Sequence, residues 1–272
     1  MFRKLVGVCA IAILLLGIAN SANAVSFGLM TDNGSTTLLN NVQSIVTGQG
    51  NTFSVLSDLS AASLAGIDVI WALNSNNNAQ LSPLITNAAD VNNFVSAGGV
   101  LLYHDREVNA AESVLPGGAG FNIVRSFSDD SNINVLNNTT TITNGPGGIV
   151  NNSTLDGGNS SSHGFSVSGS LPGTALQILS RGNPTEIVDF TYTYGDGDVY
   201  YSTIPLDFYL AGGGPPIVGD NFRNIYAPNV AAFASQLATA NPVPEPGTWM
   251  LMGTGLVGLL GYGWRKRQQQ NV

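Results

Sequence analysis

The sequence predicts an α/β fold: a parallel sheet with helices on both faces and a β-rich, loop-rich insertion, set between a cleavable leader and a single C-terminal transmembrane helix. Three observations predict it. Apolar, strand-like runs alternate with segments of helical spacing through the first half. From 117 to 183 the texture turns to Gly, Asn, Ser and Thr with only short apolar pieces. Basic residues, scarce elsewhere, gather at the two ends of the 272-residue chain.

The elements follow in order. Val25–Asp32, "VSFGLMTD", reads as a buried strand. Ser35 can cap a helix in which Leu38, Leu39, Val42, Ile45 and Val46 recur at helical spacing until Gly48 and Gly50 stop it. Thr52–Asp58 is a second strand. Gly66–Asn74 is a third, almost continuously apolar, as a strand covered on both faces would be. A second helix ends over Asp90–Ala97, with Val91, Phe94 and Val95 on one face and Gly98-Gly99 as the break. Val100–Asp105, "VLLYHD", is the fourth strand. Strands separated by helices imply right-handed crossovers and parallel pairing. The insertion holds "FNIVRSF" (Phe121–Phe127) and "ALQILS" (Ala175–Ser180), and is expected to belong to the same domain. Ile187–Tyr194 and Gly197–Ile204 form a hairpin turning through Gly195-Asp196-Gly197. Asn229–Ala238 is the closing helix.

The leader occupies 1–24. Arg3 and Lys4 form a positive start, Leu5–Ile18 an apolar stretch, and Ala22 and Ala24 the small-x-small cleavage site, so the mature chain begins at Val25. Signal peptidase is therefore an expected partner. Cys9, the one cysteine, lies ahead of the Leu14–Leu16 run and leaves the mature body without thiol or disulfide chemistry.

The other end reads "VPEPGTWMLMGTGLVGLLGYGWRKRQ" over Val243–Gln268. Thr248–Trp264 is 17 residues without a charge, about 25 Å of helix at ~1.5 Å per residue, close to what a bilayer core needs. Trp249, Tyr262 and Trp264 suit the interfaces, and Arg265, Lys266 and Arg267 form a cytoplasmic stop that puts the body on the far side. Pro244 and Pro246 hold Glu245 on stiff, extended backbone outside the membrane. These three parts in this order, over 243–268, resemble the PEP-CTERM sorting domain of Gram-negative bacteria. The resemblance implies recognition by exosortase, a membrane cysteine protease/transpeptidase, and loss of the anchor. It also implies export, from a transient inner-membrane position with the body in the periplasm to the cell surface or matrix, in bacteria that make exopolysaccharide.

Between the ends, Val25–Pro242 holds 218 residues, sixteen of them Asp or Glu, against four Arg and no Lys. That net of −12 argues against nucleic acid and anionic lipid surfaces as partners of the body, since both need basic patches.

Within 25–240, "LAGIDVIWAL" (Leu64–Leu73), "VNNFVSAGGVLLYHD" (Val91–Asp105) and "GDGDVYYSTIPLDFYL" (Gly195–Leu210) together resemble class I glutamine-amidotransferase-like domains. The resemblance implies a flavodoxin-like sheet. Those enzymes place a cysteine after a central strand and His-Pro-Glu after a late one. Here the first position leads into His104-Asp105-Arg106-Glu107 and the second into Ile204-Pro205-Leu206-Asp207, so the family's acyl transfer lacks its nucleophile and imidazole.

His104, Asp105, Arg106 and Glu107 are the strongest polar cluster, at the carboxyl end of a central strand, where ligands bind in open α/β sheets. They read either as a sugar or metal contact or general acid/base, or as a capping network at a helix start. His163, in "SSSHGFSV", reads either as a companion on the same face or as an ordinary loop residue. Two scattered histidines hardly make a zinc site. Asp129-Asp130 and Asp196-Gly197-Asp198 offer hard oxygens for calcium but fit turn chemistry as well. No catalytic residue and no cofactor is assigned. The leading expectation is a non-catalytic binding or structural module of the cell surface or exopolysaccharide matrix. The alternatives are a carbohydrate-active hydrolase or lyase using His104, Asp105 and Glu107, and a calcium-assisted adhesin.

Overall fold

The computed structural model describes residues 24–240. The leader up to residue 23, Pro244-Glu245-Pro246, the transmembrane helix expected over 248–264 and Arg265-Lys266-Arg267 lie outside the described residues. Among the described residues no helix is long and apolar enough to cross a membrane.

The chain runs β1 (Ser26–Thr31), α1 (Thr36–Gly48), β2 (Thr52–Val55), β3 (Val69–Leu73), α2 (Ser82–Thr86), α3 (Ala88–Ser96) and β4 (Val100–His104). The excursion follows, with β5 (Ile123–Arg125), β6 (Asn134–Val135), β7 (Asn144–Gly145), β8 (Gly148–Ile149), β9 (Gly164–Val167) and β10 (Leu176–Ser180). Then come β11 (Glu186–Tyr194), β12 (Gly197–Ser202), α4 (Leu206–Leu210), α5 (Pro216–Asn221) and, after a π-helical turn at Phe222–Tyr226, α6 (Ala227–Ala240).

The large mixed sheet has the order β2-β1-β3-β4-β12-β11-β10-β6. Its first five strands are parallel. The hairpin expected at Gly195 reverses direction, so β11, β10 and β6 run antiparallel. The sheet is thus parallel over one part only. The excursion does not stand apart: β6 and β10 extend the sheet edge, while β9 pairs with both β11 and β5. β12 covers β11 from Asp189 to Tyr194, and β9 takes over the same flank at Glu186 and Ile187. That hand-over brings His163, the residue before β9, to the carboxyl end of β12, where its N–H donates to the Thr203 carbonyl at 2.9 Å.

Strand alternation divides the core. Phe27, Leu29, Trp71, Val100 and Leu102 face α1 and α6, while Ile70, Ala72, Leu101, Tyr103 and Tyr201 face α3. The Ser35 hydroxyl caps α1 by accepting from Leu38 N–H at 3.4 Å, as expected. The second helix is two short ones, divided at Asn87, with Pro83 in the first turn of α2. The closing helix starts earlier than its apolar spacing suggests. Pro228 removes an N–H and crowds the preceding turn, and the π-helical turn before α6 absorbs that misfit. At the amino-terminal edge of the sheet, Asn51 accepts from Val25 N–H at 3.2 Å and donates to Ser235 Oγ at 2.9 Å, tying the start of the body to its last helix.

Candidate functional site

β4 determines where the sequence cluster goes. Leu102, Tyr103, His104 and Asp105 alternate faces, so His104 and Asp105 diverge. His104 enters the face shared with α6 and is 1% exposed among Trp71, Tyr200 and Tyr226. Its Nε2 is 3.3 Å from the Tyr226 hydroxyl, and Nδ1 has no partner among the described residues. Burial drives its pKa down to about 3, so the ring is neutral. Beside it, Tyr200 and Tyr226 hydroxyls lie 2.6 and 2.7 Å from Asp189 Oδ2 and 2.8 Å from each other. Three mutual contacts need three protons, and the two tyrosines supply two. Below about pH 6 a protonated Asp189 completes the set, in keeping with burial pushing its carboxyl up to about 6.

Asp105 enters the opposite face with no exposure. It accepts from Asn74 at 2.9 Å, Gln80 at 2.8 Å, Tyr201 at 3.2 Å and the N–H groups of Glu107 at 3.0 Å and Val108 at 3.1 Å. Burial raises its pKa and these donors oppose the rise. Asp105 thereby fixes a tight turn in which Val108 is held at φ 66°, a conformation strained for a β-branched residue. The turn aims Arg106 outward.

Arg106 is the member of the cluster that reaches a cleft. The cleft, about 270 Å³, is lined by Arg106, Asn159, Ser160, His163, Pro205 and Phe208. Arg106 Nη1 donates to Ser75 O at 3.3 Å and to Asp207 Oδ2 at 3.2 Å, and the guanidinium lies over the Phe208 ring, 5.4 Å from its centroid. Asp207 is 1% exposed, and burial raises its carboxyl to about 6 against the pull of Arg106. His163 Nδ1 lies 2.8 Å from the Arg106 carbonyl. A carbonyl only accepts, so Nδ1 carries the proton and Nε2 the lone pair. Burial lowers this histidine to about 4. Gly164 allows the close approach: a Cβ there would sit 2.3 Å from Val124 O and 2.5 Å from Val108 Cγ1. Glu107 turns away to pair with Arg125, whose guanidinium lies 5.3 Å from the Phe127 ring centroid.

Of the five residues singled out in the sequence, Arg106 and His163 therefore share a cleft, while His104 and Asp105 are inside the protein and Glu107 is held by Arg125. Asn159, Ser160 and Phe208 were not anticipated. Among the described residues no three His, Cys, Asp or Glu side chains gather where they could hold a metal ion. Asp129 Oδ2 accepts from Gly182 N–H at 3.0 Å, and Asp130 Oδ2 from the Ser160 hydroxyl at 2.5 Å. A larger, open depression of about 700 Å³ lies on the excursion, lined by Val135, Leu136, Asn138 and residues 149–153. It has no titratable lining group, so the chemistry centres on the Arg106 cleft.

Residues 242–268 match the PEP-CTERM protein-sorting motif. The motif points to export and to exosortase as processing partner. No curated protein matches the chain. Similar solved structures include a cytoplasmic protein of Salmonella typhimurium LT2, at 12% identity and TM-score 0.49, covering 78% of this chain and 99% of that one. An exo-beta-1,4-mannosidase of Opitutaceae bacterium strain TAV5 is similar at 11% identity and TM-score 0.47, covering 79% of this chain and 36% of the mannosidase. A beta-galactosidase of Bacillus circulans sp. alkalophilus has 13% identity and TM-score 0.40 over 82% of this chain and 32% of that one. The chain thus spans about a third of the length of each glycosidase.

Proposed function

We propose that this is an exosortase-sorted exported protein whose body is a non-catalytic module that binds extracellular saccharide in the Arg106–His163 cleft. The carrying observation is the sorting motif at 242–268. The module reading is supported by the strand ends. At the end of β4 stands a buried, neutral His104, and after β12 stand Pro205, Leu206 and the Arg106-paired Asp207, where an acyl-transfer enzyme needs a thiolate and an imidazole. The order β2-β1-β3-β4-β12 of the parallel strands is that of flavodoxin-like sheets, which supports an amidotransferase-like scaffold without its chemistry. The saccharide reading is supported by an aromatic face, Phe208, flanked by an arginine, an imidazole, an amide and a hydroxyl.

Two measurements test the reading. Replacing Pro244-Glu245-Pro246 with alanines should leave the protein in the inner-membrane fraction, because the span and its basic stop remain. Unchanged release would remove the sorting assignment. Titration of the full chain with a panel of neutral and acidic methyl glycosides should give saturable binding that Phe208→Ala weakens at least about fivefold, within the usual range for a stacked contact. No binding to any glycoside would remove the saccharide assignment.

A further inference from the structure

We propose that the cleft binds one carboxylate-bearing sugar ring, with Arg106 taking the carboxylate. This rests on the saccharide reading above and names the class of sugar. Arg106 is the charged residue of the lining, and the nearby carboxylates are engaged with the protein: Asp207 is buried and paired with Arg106, Glu107 is on Arg125, Asp130 accepts from Ser160 and Asp32 accepts from Ser75 N–H. Among the described residues both hydrogen bonds of the guanidinium run through Nη1 and Nε is buried without a partner, which leaves Nη2 for a ligand. The guanidinium carbon lies 5.4 Å from the Phe208 ring centroid, a cation–π contact that helps to position the group, and Nη2 can make a charge-assisted hydrogen bond to a carboxylate.

The remaining lining matches a hydroxylated ring. His163 Nε2 accepts, since Nδ1 carries the proton to the Arg106 carbonyl. The exposed Asn159 amide can both donate and accept, and the Ser160 oxygen, its proton given to Asp130, accepts. Phe208 and Pro205 supply the apolar surface against which the C–H face of a pyranose rests. The volume of about 270 Å³ limits the occupant to about one ring. The rest of the body argues against a densely charged polymer, because its net charge is −12. At physiological salt that field decays over about 8 Å, so it opposes a polyanion laid along the surface without preventing one carboxylate from reaching Arg106. The ligand is therefore an isolated acidic residue in an otherwise neutral saccharide.

The test is calorimetric titration of the full chain, in detergent, with the methyl glycosides of glucuronic, galacturonic and mannuronic acid, each beside its neutral counterpart. At least one acid should bind about tenfold or more tightly than its neutral partner, the scale of one charge-assisted hydrogen bond. Arg106→Gln alone leaves the buried Asp207 without its cation and can unfold the site. The double variant Arg106→Gln/Asp207→Asn removes both charges together. It should abolish the acid preference, so that each acid and its neutral counterpart bind within about twofold of one another. Equal affinity for acid and neutral sugars overturns this inference and leaves the saccharide reading standing. No binding of any sugar overturns both. An acid preference that survives in the double variant takes the carboxylate away from Arg106 and overturns the assignment.

Discussion

The imidazole of His163 and the backbone of Arg106 are joined by a 2.8 Å contact between Nδ1 and the carbonyl oxygen. One hydrogen bond thus sets the tautomer of the histidine and the position of the turn that carries the arginine.

Substitution at His163 separates those two consequences. Asparagine can place its amide N–H near the Nδ1 position, so His163→Asn should keep the Arg106 carbonyl bonded and stay within about 1 kcal/mol of the parent. His163→Ala leaves that carbonyl unpaired and should cost about 1–3 kcal/mol. Both should lose saccharide affinity, since both remove Nε2. Urea unfolding and glycoside titration on the two variants check the separation. Equal loss of stability in both would show that the carbonyl contact is not what matters.

The Asp189 cluster makes stability pH-dependent, with a sign that follows from burial. Its carboxyl is raised from 3.8 to about 6. The folded state therefore binds the proton more tightly, and stability falls as pH rises from about 4 to about 6, by on the order of 3 kcal/mol. His104 acts oppositely: with a folded value of about 3, its neutral burial is favourable above 6.5 and is lost as pH falls toward 3. Asp189→Asn keeps one acceptor and supplies a donor, as the protonated acid does. Relative to the parent, the variant should be more stable at pH 7 than at pH 4. Urea titrations at the two pH values measure this, and a difference independent of pH would mean that Asp189 is ionised in the fold.

Arg181 is fully buried and forms no ion pair among the described residues. It donates to the Ser128 carbonyl at 2.8 Å, the Ser126 carbonyl at 2.6 Å and Ser162 Oγ at 3.0 Å, and its guanidinium lies 5.3 Å from the Phe165 ring centroid. Those three serines bracket Phe127 and His163. Arg181→Met should therefore cost about 2–4 kcal/mol and speed amide exchange at 126–128 and 162–163 more than in β1 or β3. Uniform exchange across the sheet would assign Arg181 to global stability alone.

How far these features were legible depends on the range of the forces behind them. The cap at Ser35 and the turn at Gly195, where φ is 65°, are local and appear where the sequence puts them. The divergence of His104 from Asp105 was also available, because consecutive residues of a strand point to opposite faces. Treating four neighbours as one cluster overlooked that period. Nothing local announces that β9 will succeed β12 along β11, or that Asn159, Ser160 and Phe208 will meet around Arg106. Those positions depend on pairings between residues far apart in the chain, which no short window contains. Pro228 is intermediate: it signals a disturbed turn, but not that a π-helical turn will relieve it.

Asn51 ties Val25 to Ser235 at the amino-terminal edge of the sheet, whereas Arg106, His163 and Phe208 stand at the carboxyl edge. The two ends of the body therefore share one pole and the cleft occupies the other. The last described residues, up to Ala240, thus leave the body at the pole opposite the cleft. On the proposed sorting, removal of the segment after Ala240 would act at the pole remote from Arg106, His163 and Phe208 and would leave the cleft lining as it is.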